Sequence, residues 1–568
     1  MTRILCLALL LFAPLVGAEA PRAPATPPHQ GGVASANAYA TDAGLEILAK
    51  GGNAFDAAVA VSATLGLVEP ESSGLGGGGF LLLHVAKDGR DVFVDARERA
   101  PLASARDMFL DAAGNADRKK STEGALAAGI PGTPAALEHL AVRYGKLPLS
   151  ESLAPAIRLA REGWKFGPKN AAMLGFRRDA IAATPAAAAL FLRDGQVPAQ
   201  GTLMRNEDYA RTLERIAREG ADGFYRGDYA RRLVAGVRKA GGIWTESDLA
   251  EYRVVERAPL RFKHRGFEIV TAPPPSSGGV ALATILNVLE PYGYEKMDKV
   301  PRTHLVVEAM RRAYRDRAVY LGDPDFAQVP VPLLTSRDYA AGLRAGISAE
   351  RATPSDMLPG VTAAASRPDT THFSIIDAEG NLAAVTQTVN LPYGNSLVVP
   401  GTGFLLNNEM DDFSVKPGVP NAFGLVGDDA NAIAPGKRPL SSMTPTFLIG
   451  KDRVAVLGTP GGSRIVTMVL LGLFELMDGG GAQAAADAPR FHHQYLPDQL
   501  SAEPEAFTAE EAAQLKARGH DVQIGDRSWG NMQVVMWHRD TGKVEAGTDP
   551  RWKGVGKGSS SDAASIYR

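Results

Sequence analysis

Two alternating runs, Thr371 to Ile376 and Leu382 to Asn390, flank the short segment Ala378-Glu379-Gly380. Alternation with a period of two marks a strand with two different faces, and a glycine closing a three-residue loop suits the left-handed position of a hairpin turn. Such a turn pairs Asp377 with Asn381. It then sets Thr370 opposite Thr388 and places Asn390 two residues on, along the same face. A two-residue turn would slip the register by one and send every side chain to the other face. Few other stretches of the chain restrict its folding so tightly.

The pairing also has chemical content. A threonine hydroxyl is a poor nucleophile without a base beside it, and cutting the chain just before the threonine supplies one, its own freed α-amine. The loop-like run 363 to 369, Ala-Ala-Ala-Ser-Arg-Pro-Asp, leads straight into Thr370. Taken alone, an ordinary Thr–Thr cross-strand pair accounts for the same pattern.

The N-terminus reads as an export signal. Arg3 supplies the positive region, Ile4 to Val16 an apolar stretch too short to span a bilayer, and Gly17-Ala18-Glu19-Ala20 the cleavage zone. Cleavage after Ala18 fits better than after Ala20, because Pro21 would follow the second cut. The mature protein is expected to be periplasmic or secreted, with no stable membrane span. Residues 21–30 form a Pro-rich lead-in expected to lack fixed structure. The single cysteine, Cys6, lies in the signal, so disulfides, thiolate metal sites and a cysteine nucleophile are all excluded from the mature chain. A net charge of −2 argues against a broad nucleic-acid or anionic-membrane surface. With 45% hydrophobic residues, core packing must hold the fold.

Ala40 to Lys50 reads as a helix stopped by Gly51-Gly52, and Ala54 to Leu67 as a helix buried on nearly every face. Ser72 to Gly79 then precedes a strand at Phe80 to Val85. Four glycines before a strand imply close backbone approach, whereas a phosphate loop would lead into a helix with a lysine partner. Residues 130 to 260 are mostly helical in pattern, Pro273 to Gly279 forms a rigid loop, and strands dominate from 370 onward, with long loops at 391 to 446. Helices and strands intermix in both halves, which points to layered α/β structure.

With these motifs in place, the chain resembles the gamma-glutamyltranspeptidases, members of the N-terminal-nucleophile hydrolases. The likeness runs from Gly51-Gly52-Asn53-Ala54-Phe55-Asp56 to Asp549-Pro550-Arg551 and includes Ser72 to Gly78, Asp95 to Pro101, Asn407 to Phe413, Arg438 to Met443, Pro460 to Arg464 and Pro489 to Gln494 around Thr370-Thr371-His372. The resemblance implies an αββα sandwich built jointly by two chains from one precursor: a large subunit, 31–369, and a small subunit, 370–568, released by self-cleavage between Asp369 and Thr370. It implies Thr370 as nucleophile, Thr388 as assisting hydroxyl, and Gly461 and Gly462 as oxyanion donors. Arg97, Ser441 and Ser442 would hold the donor's α-carboxylate, with Glu409, Asp412 and Asn390 on its α-ammonium. Donors would be γ-glutamyl compounds such as glutathione, acceptors water, amino acids or dipeptides, with no cofactor and no metal. The three histidines His372, His492 and His493 are read as structural.

The chain departs from the family at the lid, where Phe423 stands in place of a common tyrosine and loses its hydroxyl's hydrogen bond. Position 409 is glutamate where some bacterial relatives carry glutamine. Two rivals remain: an acylase of glutaryl or cephalosporin amides, disfavoured by Glu409 and Asp412, and a non-catalytic exported amino-acid-binding protein, disfavoured by the catalytic set.

Overall fold

The computed structural model describes residues 25–358, 370–552 and the strand at Ala564–Ile566. The signal, its cleavage at Ala18 or Ala20, and Asp369 with the bond before Thr370 lie outside the described residues.

The hairpin forms in the three-residue register. Thr371–Ile376 pairs antiparallel with Leu382–Thr388, with Thr371 opposite Gln387. Gly380 takes a φ of 85°, the left-handed value that favours glycine. Asp377 secures the turn: Oδ1 accepts from Glu379 N and Asn381 N, both at 2.9 Å, and Oδ2 from Asn381 Nδ2 at 2.7 Å. The same Oδ2 accepts from Ala54 N at 2.9 Å, tying the hairpin to a helix start 323 residues away. The second strand ends at Thr388, not at Asn390, because Asn390 turns into the left-handed region at φ 78°.

Seven strands form the first sheet, in the order Ala564–Ile566, Gly32–Ser35, Thr371–Ile376, Leu382–Thr388, Gly78–Val85, Arg90–Ala96, Val255–Arg257. A six-stranded sheet faces it, ordered Val544–Thr548, Gln533–His538, Arg453–Gly458, Thr446–Ile449, Phe267–Thr271, Leu260–His264. Every pairing within these two sheets is antiparallel.

Strand alternation feeds two separate cores. Leu81, Leu83, Phe373, Ile375, Ala383 and Val385 pack outward with the helices Ala38–Ala49 and Ala54–Val68. Their neighbours Phe80, Leu82, Ile376, Leu382 and Ala384 point inward, into a core shared with the second sheet and the helices Gly278–Leu289, Lys299–Tyr320 and Ile465–Met477 beyond it. The expected αββα sandwich results. Helix Ala54–Val68 is buried at every position, as its all-round apolar sequence requires, and opens with a capping box between Asn53 and Asp56.

The central hairpin of the first sheet comes from beyond residue 369, while its neighbours Gly32–Ser35 and Gly78–Val85 come from before it. The second sheet likewise sets Phe267–Thr271 beside Thr446–Ile449. Neither side of that junction owns a complete sheet.

The glycine run makes the close approach its composition implies. A Cβ at Gly76 would lie 2.0 Å from Leu405 O, and one at Gly77 2.0 Å from Thr388 O. The lead-in needs correcting for its described part: Thr26 N donates to Arg539 O at 2.8 Å, His29 N to Gly542 O at 2.9 Å, and Trp537 Nε1 to Thr26 O at 3.0 Å. Its prolines lack donors, but Thr26 and His29 between them supply enough to dock it. Among the described residues, no helix is long and apolar enough to cross a membrane.

Candidate active site

Thr370 directly precedes the strand Thr371–Ile376, on the face shared by His372, Ser374 and Ile376. That face meets the second sheet. A Cβ at Gly458, the last residue of Arg453–Gly458, would lie 2.3 Å from His372 Cε1, and Ser374 Oγ donates to Gln533 O at 3.1 Å. Thr370 therefore sits at the mouth between the two sheets. Thr371 points the other way, its hydroxyl donating to Glu69 Oε2 at 3.3 Å at the end of the buried helix.

Across the hairpin, Thr370 Oγ1 and Thr388 Oγ1 lie 3.1 Å apart, as the register predicts. Thr388 Oγ1 also accepts from Asn390 N at 2.8 Å, which anchors it opposite Thr370. Asn390 Nδ2 donates to Asn408 O at 2.8 Å, fixing the carboxamide beside the hydroxyl pair.

Gly461 and Gly462 form a turn at the start of Gly462–Arg464 and Ile465–Met477, with φ of 143° and 55°. The φ of 143° at 461 is one that side-chain-bearing residues rarely adopt, which favours glycine there. A helix N-terminus presents free N–H groups and the positive end of its dipole, which suits a developing oxyanion. Tyr314, from Lys299–Tyr320, donates its hydroxyl to Ser463 O and holds the turn from below.

One crevice of about 280 Å³ joins the set: Thr370, Thr388, Asn390, Gly462 and Phe423 line it together with Arg97, Glu409, Asp412, Ser441 and Ser442. Of the expected residues, only Gly461, behind Gly462, and Asp369, outside the described residues, are missing from its wall. Arg97 is almost wholly buried. Its Nη1 donates to Glu409 Oε1, its Nη2 to Asp412 Oδ2 at 2.5 Å, and its Nε to Pro439 O at 3.2 Å. The crevice thus carries both signs of charge. Ser442 Oγ, Asn390 Oδ1 and Glu409 Oε2 are buried there without a partner among the described residues. Such atoms are costly unless something fills their hydrogen bonds.

The chain belongs to the gamma-glutamyltranspeptidase family. The family described as gamma-glutamyltranspeptidase matches residues 40–559. The chain is 42% identical over 531 residues to the glutathione hydrolase proenzyme of Escherichia coli (strain K12), covering 92% of this chain and 90% of that protein. It is 36% identical over 524 residues to the acylase ACY 1 proenzyme of Pseudomonas sp. (strain V22), covering 90% of each. A solved cephalosporin acylase from Bacillus halodurans superposes with a TM-score of 0.81 at 29% identity, over 98% of this chain and 99% of that one. This transpeptidase-family chain is therefore similar to both hydrolases and acylases.

The family's histidines take no place in the crevice wall. His372 bonds Thr386 Oγ1 and Ser374 Oγ, His492 bonds Thr467 Oγ1 and Gln494, and His493 bonds Asp498. Burial lowers their pKa values to about 3, 3 and 4, so all three are neutral near pH 7. The segment around Phe423 is held largely by Asn421: its Oδ1 accepts from Phe423 N at 2.9 Å and Leu425 N at 3.1 Å, while its Nδ2 donates to Asp412 Oδ1 at 3.0 Å, and Asp411 Oδ2 adds a bond from Ala422 N at 2.8 Å. Sequence reasoning missed Asn421, Tyr314 and Glu98. Asn421 lies in the turn-forming run Pro420-Asn421-Ala422-Phe423-Gly424, a signal that could have revealed it.

Proposed function

We propose that the chain is an exported γ-glutamyl hydrolase and transferase, periplasmic or secreted, matured by self-cleavage at Asp369–Thr370 into a large subunit, 31–369, and a small subunit, 370–568. The observation that carries this reading is a hydroxyl pair 3.1 Å apart in the same crevice as a helix-N-terminal glycine turn and a buried Arg97 with two carboxylates.

In maturation, Thr370 Oγ attacks the Asp369 carbonyl and the peptide nitrogen leaves as an amine. Water then opens the resulting ester, leaving the Asp369 carboxylate and restoring the Thr370 hydroxyl beside the α-amine already freed. In turnover that amine takes the hydroxyl proton as Oγ attacks the γ-amide carbonyl of a donor such as glutathione. Gly461 and Gly462 N–H groups stabilise the oxyanion, and Thr388 hydrogen-bonds the attacking oxygen. The proton passes to the leaving amine, and the γ-glutamyl ester on Thr370 is resolved by water or by an amino acid or dipeptide.

The donor's α-carboxylate falls to Arg97, Ser441 and the unpartnered Ser442 Oγ; its α-ammonium falls to Glu409, Asp412 and Asn390 Oδ1. A glutaryl amide lacks the ammonium and would leave Glu409 and Asp412 with Arg97 alone to offset two negative charges. The acylase reading is the weaker for that reason. A γ-glutamyl anilide and a glutaryl anilide, compared at equal concentration, test the choice: the γ-glutamyl compound should turn over at least about tenfold faster. Faster glutaryl turnover would replace the proposal with the acylase. Glycylglycine should accelerate release if the ester is open to amines.

A further inference from the structure

The loop Pro273 to Gly279 has no task in the mechanism above, yet it is built against the serine pair of the donor crevice. Ser276 and Ser441 form a parallel bridge. Ser441 N donates to Pro275 O at 2.8 Å, Ser277 N donates back to Ser441 O at 2.8 Å, and Ser276 Oγ donates to Met443 O at 2.7 Å. Ser441 O takes a second bond, from Ser277 Oγ at 2.9 Å, so both its lone pairs are used. The place of Ser441 and Ser442 in the crevice wall is therefore set by this loop.

Behind the loop lies Arg317. It stands about one turn after Tyr314 on Lys299–Tyr320, so one helix face serves both the Gly461 to Ser463 turn and the serine pair. Only 5% of it is exposed. Its Nε donates at 3.2 Å to Ser277 Oγ, the same oxygen whose hydrogen goes to Ser441 O. On the same helix Arg311 and Arg312 pair with Glu308, and Arg315 with Asp316. Arg317 makes no ion pair among the described residues, and the bond to Ser277 is its one hydrogen bond there. Burial pushes its guanidinium down to about 10, against the pull of Asp412, so it stays charged at neutral pH. A buried charge with one neutral partner is a costly way to fill space. Arg97 holds the preceding residues of the serine loop, through Pro439 O at 3.2 Å and Leu440 O at 3.4 Å, and the Arg317–Ser277 relay takes over at Ser441.

We propose that Arg317 is a positioning residue for donor recognition: through Ser277 it fixes Ser441 and Ser442 where they take the donor's α-carboxylate. A guanidinium has donors only, so it turns a lone pair of Ser277 Oγ toward itself and the hydroxyl hydrogen toward Ser441 O. Without it the Ser277 hydroxyl is free to rotate, Ser441 O keeps one of its two bonds, and the carboxylate end of the donor is held less well. The reacting amide and the α-ammonium lie outside this relay.

The inference rests on the donor-site reading above, and its test separates the two. Mature enzyme is given a γ-glutamyl anilide and the same anilide with its α-carboxylate replaced by a carboxamide. The ratio of the two kcat/KM values does not depend on how much of a variant folds or matures. Wild type should prefer the carboxylate donor by at least about 100-fold. Arg317→Met should cut that preference about tenfold, by raising KM for the carboxylate donor with kcat little changed, and leave the carboxamide donor as it was. Ser277→Ala, which keeps the backbone bond to Ser441 O, should cut it about threefold, and it decides the matter if Arg317→Met yields no mature enzyme. Calorimetry adds an arm without turnover: L-glutamate, the hydrolysis product, should bind mature Arg317→Met about tenfold more weakly than wild type. A wild-type preference that the variants leave unchanged would overturn the inference, as would unchanged glutamate binding. Equal losses on the two donors would overturn it too, because they mark general damage to the fold. A wild type indifferent to the α-carboxylate would instead refute the donor-site reading, and the inference with it.

Discussion

At the residue scale the site rests on small atoms held at fixed distances. Thr388 contributes one hydroxyl, 3.1 Å from Thr370 and anchored by Asn390 N at 2.8 Å. Thr388→Val keeps the shape and removes the oxygen. It should lower kcat by about 10- to 100-fold, with KM changed by no more than about threefold. Steady-state rates on a γ-glutamyl anilide check this, and an unchanged kcat would reduce the pair to packing. The facing of these two threonines is legible in the amino-acid sequence, because a three-residue turn permits only one register. Glu98 is not, since an acidic residue next to an arginine in sequence carries no sign that it is wholly buried 3.7 Å from that arginine's guanidinium. Burial and charge balance are properties of the assembled site.

At the element scale, alternation accounts for most of the architecture. Residues 371 to 376 send odd positions to the outer helices and even ones to the facing sheet, and Thr370 inherits its place at the sheet edge from that parity. The alternating pattern predicts a strand running to Asn390, but the strand stops at Thr388, because apolar–polar alternation continues past the point where φ turns positive. Support from a distant helix also leaves no mark in the sequence. Tyr314 reaches the turn at Gly461 to Ser463 from Lys299–Tyr320, and its ring meets His492 edge-on at 5.6 Å. Tyr314→Phe keeps that packing and deletes only the donor to Ser463 O. We expect kcat to fall about tenfold while KM and maturation hold, measured on the purified two-fragment enzyme. A changed KM with constant kcat would place Tyr314 at the donor pocket instead.

At the scale of the whole molecule, the two sheets interleave strands from both sides of residue 369, so a cut there leaves one cooperative body. Acid should undo it. Burial holds His264 and His493 to about 4 and His372, His492 and His520 to about 3, well below the unfolded value near 6.5. Each is neutral when folded and takes up a proton on unfolding, so its contribution is complete above about pH 6.5 and is lost as pH falls toward 3. Glu98, Asp411 and Glu409, raised by burial, act in the opposite direction down to about pH 4.5, where their gain is complete. Tm should therefore decline gently at first and steeply below about pH 4.5; a Tm that stays level to about pH 3.5 would contradict the burial of these imidazoles.

The central claim is that Thr370 is both the cleaving residue and the nucleophile. Purified wild-type protein should separate on a denaturing gel into two fragments, the smaller one beginning at Thr370 by N-terminal sequencing. Thr370→Ala should run as one uncut chain and release nothing from a γ-glutamyl anilide. An uncut wild type that turns over the anilide, or a Thr370→Ala protein that still cleaves itself at this bond, would contradict the account.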